Sequence, residues 1–587
     1  MLHGQIDALI KDAIQSAFNQ AAEFTIDAPK NPEHGDFATN AAMVLTKLVQ
    51  KPPRVIAEAL AEQLRSHSQV IAKVEVAGPG FINITVTREA LYQTVRDVLA
   101  AGDRFGQQEK PQGKKVLVEY VSANPTGPLH LGHARGAFVG DAVSRLLQAA
   151  GFAVTREFYT NDVGNQVNIL ARSIYLRYRE LFGENITLDK DAYPGAYVID
   201  IAKVLKEEDG DKWLTASEDE WRPRCLAIGL RENLKGIRES LEIAGIQIDS
   251  WFSEGSLHEQ NRISELITSY RKLGMLYEAE RAEGTDEKIR REDSKAANYA
   301  HQQKGGTFLR TAQFGDEEDR ILVRANGEPV YLAADLAYHK TKFDRGFDWM
   351  IDVFGADHSG HIPRIRAGMR ALELDDKKLQ FVCVQMVRLI RNGQEVKFSK
   401  RSGQIYLLSD LIEEIGSDAA RFIFLMRAPD TQFDFDLDLA IKQSSDNPVF
   451  YTQYGHARMA TLLRRAEEAG KSFGGLARLS DEALAKLVLP EERNMLKKMG
   501  LFPDVVMRSA LSLEPHRMLH YCQDLIGEFH TYFTKYRHTE RVISDDALLT
   551  EGRLAMVAAL KQTLHNALSL LGISAPEYMH APEEKAE

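Results

Sequence analysis

Cysteine is scarce in this chain. Its 587 residues hold three, Cys225, Cys383 and Cys522. An odd number so widely spread argues against a disulfide framework, and the spacing is wrong for a zinc knuckle. Long apolar runs are missing too, and none reaches the roughly 18 residues of a membrane span. The opening Met1-Leu2-His3-Gly4-Gln5-Ile6-Asp7 lacks the basic region and apolar core of a secretory signal. The cytosol is therefore the expected compartment, with no membrane among the partners. Positive charge is in deficit: 73 Lys and Arg stand against 84 Asp and Glu, for a net −11. That balance disfavours a nonspecific nucleic-acid binder, although local basic surfaces remain open to it.

What is present suits a large globular chain, 44% apolar and 27% charged. The length suggests about three or four domains. Lys114 to Val121 is apolar and β-branched, the pattern of a buried strand. Ser122 to Pro128 is punctuated by Pro and Gly, as a loop is. From Gly132 to Ala150 the apolar residues Ala134, Phe138, Ala142, Leu146 and Leu147 recur with helical spacing, and Gly151 stops the run. His130-Leu131-Gly132-His133 therefore falls where a loop meets a helix N-terminus. Free backbone N–H groups and the helix dipole attract phosphate there. Gly132 allows close approach to the backbone, and His130 and His133 can donate to phosphoryl oxygens.

A second stretch lies far downstream. Leu389 to Val396 is predicted to be a strand pair turning at Asn392-Gly393. It runs into Lys397-Phe398-Ser399-Lys400-Arg401, followed by Ser402-Gly403. Lysines in such a loop can meet the charge that builds on a leaving pyrophosphate. Two acids invite a further question. Glu119 lies on the first strand, just before Asn124, and Asp335 lies four residues after Tyr331 in an otherwise apolar segment, so those two share a helix face. An acid in that setting needs a partner. On the residues alone, an N-cap or an ion pair with a protein arginine explains Asp335 as well as a cationic ligand does.

The coarse organisation has three parts. Residues 1–109 read as an α+β N-terminal domain. Residues 110–440 read as an α/β unit of Rossmann type with a parallel sheet, carrying a charged helical insertion at about 170–300. Residues 441–587 read as an all-α bundle. Tyr454 and Arg458 stand one helical turn apart in that bundle, a pair able to stack an unpaired base. The Phe529 to Arg537 segment is a second aromatic and basic stretch.

The two stretches, in this order, resemble the HIGH and KMSKS motifs of class I aminoacyl-tRNA synthetases, with Phe398 and Arg401 departing from the second pattern. The surrounding residues resemble the arginyl-tRNA synthetase family along essentially the full length. His34-Gly35-Asp36-Phe37-Ala38-Thr39-Asn40 and Gly78 to Asn83 match its N-terminal domain, which touches the tRNA elbow; Asn447 to Arg458 and Leu570 to Glu577 match its anticodon-binding domain. The resemblance implies ATP contacts from His130, Gly132, His133, Lys397, Ser399 and Lys400, with His130, His133 and Lys400 catalytic. It implies an arginine pocket from Glu119, Ser122, Asn124, Gln166, Tyr331, Asp335 and His358, and tRNA contacts at Asn83, Tyr454 and Arg458. The implied reaction joins L-arginine to ATP, with Mg²⁺ and no zinc, and passes the arginyl group to tRNA(Arg), in a monomer with no editing domain. A cysteinyl or glutamyl enzyme, or a non-catalytic tRNA-binding relative, is the competing class. The first would need zinc ligands, the second a basic pocket where Glu119 and Asp335 stand. The third is disfavoured by the intact His130, His133 and Lys400.

Overall fold

A computed structural model describes residues 2–27, 29, 31, 34–108, 110–280, 305–396 and 406–580. The chain forms two compact units. One comprises residues 109–441 with 513–516, and the other residues 1–108 with 442–512 and 517–587.

The core of the first unit is a five-stranded parallel sheet. Its order is Leu379–Val384, Trp349–Gly355, Lys115–Glu119, Ala153–Thr160, Ser250–Ser253. Val116, Leu117 and Val118 are fully buried, as a parallel strand covered on both faces requires. The first strand in sequence is the central one. The chain builds outward on one side, then crosses to the other, so a topological switch point lies between Lys115–Glu119 and Trp349–Gly355. Open α/β sheets bind ligands in the crevice beyond that point. The fifth strand, Ser250–Ser253, comes from within the span read as an insertion. It is four residues long and half-buried throughout, so it has neither the length nor the alternation that marks a strand in sequence.

Most of the described remainder of that span is helical as expected, with Asn165–Glu180, Ala196–Asp209 and Glu218–Ile243 around their own core, but Leu276–Ala279 is a further strand, paired antiparallel with Gly306–Leu309. Tyr175 stacks on Trp221 there, with ring centroids 4.0 Å apart. Val387–Arg391 pairs antiparallel with Gln394–Glu395. The turn is the expected one, since Asn392 (φ 52°) and Gly393 (φ 69°) both take the left-handed conformation that a two-residue hairpin needs. The stretch that follows, with Lys397, Ser399 and Lys400, lies outside the described residues.

In the second unit, a four-stranded antiparallel sheet is ordered Ile26–Asp27, Phe37–Thr39, Phe81–Val86, Ile71–Ala77. The C-terminal portion is helical, with Pro448–Glu468, Pro490–Ser512, His516–Lys535 and Ala547–Leu570 as its long members. The N-terminal segment does not stand apart. Its helix Arg88–Ala101 packs on Pro490–Ser512 and Ala547–Leu570. Asp36, 4% exposed, pairs with Arg493 at 2.6 Å and also with Lys497. No helix among the described residues is long and apolar enough to cross a membrane.

Candidate functional site

The first strand ends at the switch point and turns sharply. Val121 (φ 69°) and Ser122 (φ 40°) both have positive φ. A β-branched residue there is a true outlier, and such strain costs about 1–3 kcal/mol per residue. Local hydrogen bonds hold it. Ser122 Oγ donates to Glu119 Oε1 at 2.9 Å and accepts the Tyr159 N–H at 3.1 Å. Two residues on, Asn124 Nδ2 donates to Gln166 Oε1 at 2.8 Å, which brings two expected pocket residues together, exposed, beyond the end of the central strand.

His130 is the N-cap of the helix Leu131–Ala149. Its Nδ1 accepts the Gly132 N–H at 3.1 Å, and its own N–H donates to His133 Nδ1 at 3.2 Å. The rings lie 4.0 Å apart. With both δ nitrogens accepting, a neutral ring carries its proton on Nε2, a donor. A Cβ on residue 132 would come within 2.9 Å of His130 Cε1, so only glycine leaves this cap undisturbed. Arg135, one turn on and 2% exposed, donates to the carbonyls of Gln385, Ala428 and Thr431. The chain that continues from the second stretch is tied to this cap. Leu131 N–H donates to the Tyr406 carbonyl and Leu408 N–H to the Leu129 carbonyl, each at 3.0 Å.

Acids gather on the other side of the switch point. Tyr331 opens the helix Tyr331–Asp344 and is 64% exposed. Asp335, its carboxylate about a third exposed, lies 3.7 Å from His361 Nδ1. His358 is exposed on the turn after Trp349–Gly355, its ring 5.8 Å from that of His361. Beneath them is an ionic chain that sequence reasoning missed. Lys342, fully buried, places Nζ 2.6 Å from both Glu119 Oε2 and Asp352 Oδ1. Asp352 Oδ2 meets His339 Nε2 at 2.9 Å, and His339 Nδ1 reaches the Asp335 carbonyl at 2.7 Å. The chain therefore runs from the Glu119 carboxylate to the backbone carbonyl of Asp335, not to its carboxylate. Lys342 sits eleven residues after Tyr331, on the same helix face; that spacing was the available signal.

Burial raises the Glu119 carboxyl above its usual range, with Lys342 opposing. Burial pushes Asp352 the same way, but Lys342 and His339 outweigh it and hold Asp352 well below. Lys342 stays above its ordinary value because its two carboxylates more than offset its burial. Glu119 is therefore the end of the chain whose charge is least stabilised, the end at which an incoming cation has most effect.

The expected tRNA contacts fare unevenly. Asn83 is 8% exposed, in the centre of a strand paired to Ala38 and Glu75, so its amide is not displayed for RNA; Phe81, at the strand's start, is 40% exposed. Tyr454 is half-buried and stacked on Phe450 at 5.8 Å. Arg458 lies over the Phe533 ring at 4.5 Å, with His530 Nδ1 at 3.2 Å from its Nη1. Phe529 and Tyr532 are core residues rather than surface ones.

Comparison with known proteins covers nearly all of the chain. Residues 4–86 match the arginyl tRNA synthetase N terminal domain. Residues 94–192 match the class I (R) tRNA synthetase catalytic domain, and residues 452–579 the DALR anticodon binding domain. An arginine–tRNA ligase of Anaeromyxobacter sp. (strain Fw109-5) is 44% identical, over 98% of this chain and 99% of its own. That of Syntrophotalea carbinolica is 42% identical, over 97% and 99%. The solved arginyl-tRNA synthetase of Thermus thermophilus shares the fold at a TM-score of 0.75 and 21% identity, covering 99% of this chain and all of that one.

Proposed function

The chain belongs to the arginyl-tRNA synthetase family, and from that premise we propose which of its residues carry the reaction. It is an arginine–tRNA ligase of class I: it activates arginine with ATP and transfers the arginyl group to tRNA(Arg). The arginine carboxylate attacks the α-phosphorus of ATP, the α–β bridging bond breaks, and pyrophosphate leaves. A 3′-terminal ribose hydroxyl of the tRNA then takes the arginyl group and releases AMP. Neither step needs a side-chain nucleophile. Positioning and charge stabilisation carry the rate.

His130 and His133 present Nε2 donors to the phosphates at the N-terminus of the helix Leu131–Ala149, beside Gly132. Lys397, Ser399 and Lys400 complete the grip on pyrophosphate, with Mg²⁺ arriving on the ATP. The observation that supports this reading best is the tie between Leu129–Leu131 and Tyr406–Leu408, the chain that follows the second stretch. Asp335 pairs with the guanidinium beneath Tyr331. Glu119, Ser122, Asn124, Gln166 and His358 surround the remainder of the amino acid. Tyr454 and Arg458 lie on the helical portion that meets the anticodon loop. The chain acts as a monomer in the cytosol, without zinc and without a membrane partner.

Labelled arginine, total tRNA and ATP with Mg²⁺ test the assignment in one assay. Label should enter tRNA with arginine and not with lysine, cysteine or glutamate, and EDTA should abolish it. Charging by another amino acid, or none by arginine, would overturn the reading.

A further inference from the structure

Arg135 carries a buried charge with no opposite charge against it. It stands two residues after His133 on the helix Leu131–Ala149 and is 2% exposed. Among the described residues no carboxylate pairs with it, and its charge is met by backbone dipoles. Nη1 donates to the Gln385 carbonyl at 3.0 Å and to the Thr431 carbonyl at 2.7 Å, and Nη2 donates to the Ala428 carbonyl at 2.8 Å. The guanidinium carbon lies 4.8 Å from the centre of the Phe433 ring. Burial lowers the group to about 10, with Asp430 opposing, so it stays charged at neutral pH.

The three carbonyls belong to two separate stretches of chain. Gln385 links the strand Leu379–Val384 to Val387–Arg391, the first strand of the hairpin that leads to the second stretch. Ala428 and Thr431 precede Phe433–Asp436, which pairs in parallel with Val387–Arg391. The two also meet each other, since the Gln385 N–H donates to the Pro429 carbonyl at 2.9 Å. One planar group thus staples both to the helix that carries His130 and His133. The chain beyond the second stretch is tied to the same cap through Leu129 and Leu131.

The choice of side chain fits that task. Buried carbonyls need donors. A guanidinium holds five in one rigid plane, so it fixes direction as well as distance; an ammonium on a flexible stem does not. Charge-assisted bonds are also roughly twice as strong as neutral ones. We propose that Arg135 is a positioning residue for arginine activation: it sets the separation between the helix N-terminus that holds His130 and His133 and the hairpin that leads to Lys400. The proposal rests on the reading of these two motifs as the ATP grip. Arg135 acts through the groups it places, not by touching substrate. Pyrophosphate leaves only in the first step, so activation depends on this separation and transfer to tRNA does not.

Arg135→Lys keeps the charge but loses the fork. Arginine-dependent ATP–pyrophosphate exchange with tRNA present should slow by about 10- to 100-fold, as a displacement of about 1 Å far from the chemistry does. The arginine KM should stay within about twofold, because binding of that substrate is not what is lost. Transfer to tRNA from supplied arginyl-adenylate should also stay within about twofold, whereas a merely structural role would slow both steps alike. Lys400→Ala is run beside it, alone and combined. In that background Arg135→Lys should cost less than about threefold, because residues that act as a unit are not additive. An equal factor in both backgrounds overturns the inference and leaves the grip standing. If Lys400→Ala alone leaves exchange unchanged, the reading of the second stretch fails, and the inference with it. Should Arg135→Lys not fold, Phe433→Leu decides. It removes the ring against the guanidinium but none of the three carbonyls, and should slow exchange by about two- to fivefold with transfer intact. Unchanged exchange, or equal loss of both steps, overturns the proposal.

Discussion

Replacing Lys342 with Met is the sharpest perturbation of this site, because it removes a charge and little volume. Lys342 Nζ lies 2.6 Å from each of two carboxylates and has no access to water. At an effective dielectric near 20, each contact is worth about 6 kcal/mol of attraction. Burial of the ammonium and both acids cancels much of that, and breaking a buried pair by removing one partner costs about 3–5 kcal/mol. Asp352 keeps His339 at 2.9 Å, so the uncompensated charge falls mainly on Glu119, which retains only Ser122 Oγ. One pair's worth, about 3–5 kcal/mol, is therefore expected rather than two. That is a large share of the roughly 5–15 kcal/mol that stabilises a domain. Urea unfolding followed by the fluorescence of the four tryptophans measures it. The variant has a second signature. Without Lys342 the burial of Glu119 is unopposed, so its carboxyl rises further and is protonated over a wider range of pH. Arginine KM should then fall as pH is raised and Glu119 ionises, a slope the parent lacks. Lys342→Arg should restore part of both effects. A loss under about 1 kcal/mol, the level of an exposed pair, together with a flat arginine KM, would refute the account of Lys342 as the counter-ion.

Asp335→Asn should raise the arginine KM by roughly 10–100-fold and leave ATP nearly unchanged; its third of exposure places the effect at the lower end for a charge-assisted bond. Tyr197→Phe removes the hydroxyl that donates to the Thr126 carbonyl at 2.7 Å. The ATP KM should rise by roughly three- to tenfold with arginine unaffected, because about 1 kcal/mol of bracing is lost from the loop that leads to His130. Deleting residues 1–105 strips Arg493 and Lys497 of the buried Asp36 and uncovers the face of Pro490–Ser512 that Arg88–Ala101 covers. The truncated chain should lose several degrees in the melting of its helical portion, whereas an independent module would leave melting unchanged. Burial, with Arg458 beside it, pushes His530 down to about 4 from its ordinary 6.5. Unfolding would let it take a proton between those values, so the stability it contributes is full above 6.5 and lost as pH falls to about 4. His530→Gln should flatten the pH slope of urea unfolding in that window; an identical slope would show that other groups set it.

What could be read from sequence was local. The strand before His130, the loop, the helix cap and the Asn392-Gly393 turn each depend on residues within a few positions. Their physics is the same in a peptide as in the folded chain. Asn124 and Gln166 were placed at one pocket only through family resemblance, and their hydrogen bond across 42 residues had no signal in the sequence. The rest depends on contacts that no periodicity encodes. Glu119 meets Lys342 across 223 residues, and Asp36 meets Arg493 across 457. Apolar spacing reports that a face is buried, not what lies against it. The sequence therefore gives no sign that Asp36, in a stretch matched to the N-terminal domain, meets Arg493 and Lys497. Asn83 came from its place in a matching motif, and the sequence carried no sign of its 8% exposure between two paired strands. Ser250–Ser253 escaped because four half-buried residues carry almost no pattern.

Glu119 and Asp335 differ in how their charge is compensated. Glu119 shares Lys342 with Asp352 and is the less stabilised of the two carboxylates, so part of its charge is left for a ligand. Asp335 is open to water, so its attraction is screened but accessible to an approaching side chain. A lysine side chain can satisfy Asp335 as an arginine can, so discrimination between them needs groups that meet the planar fork of donors as well as the charge.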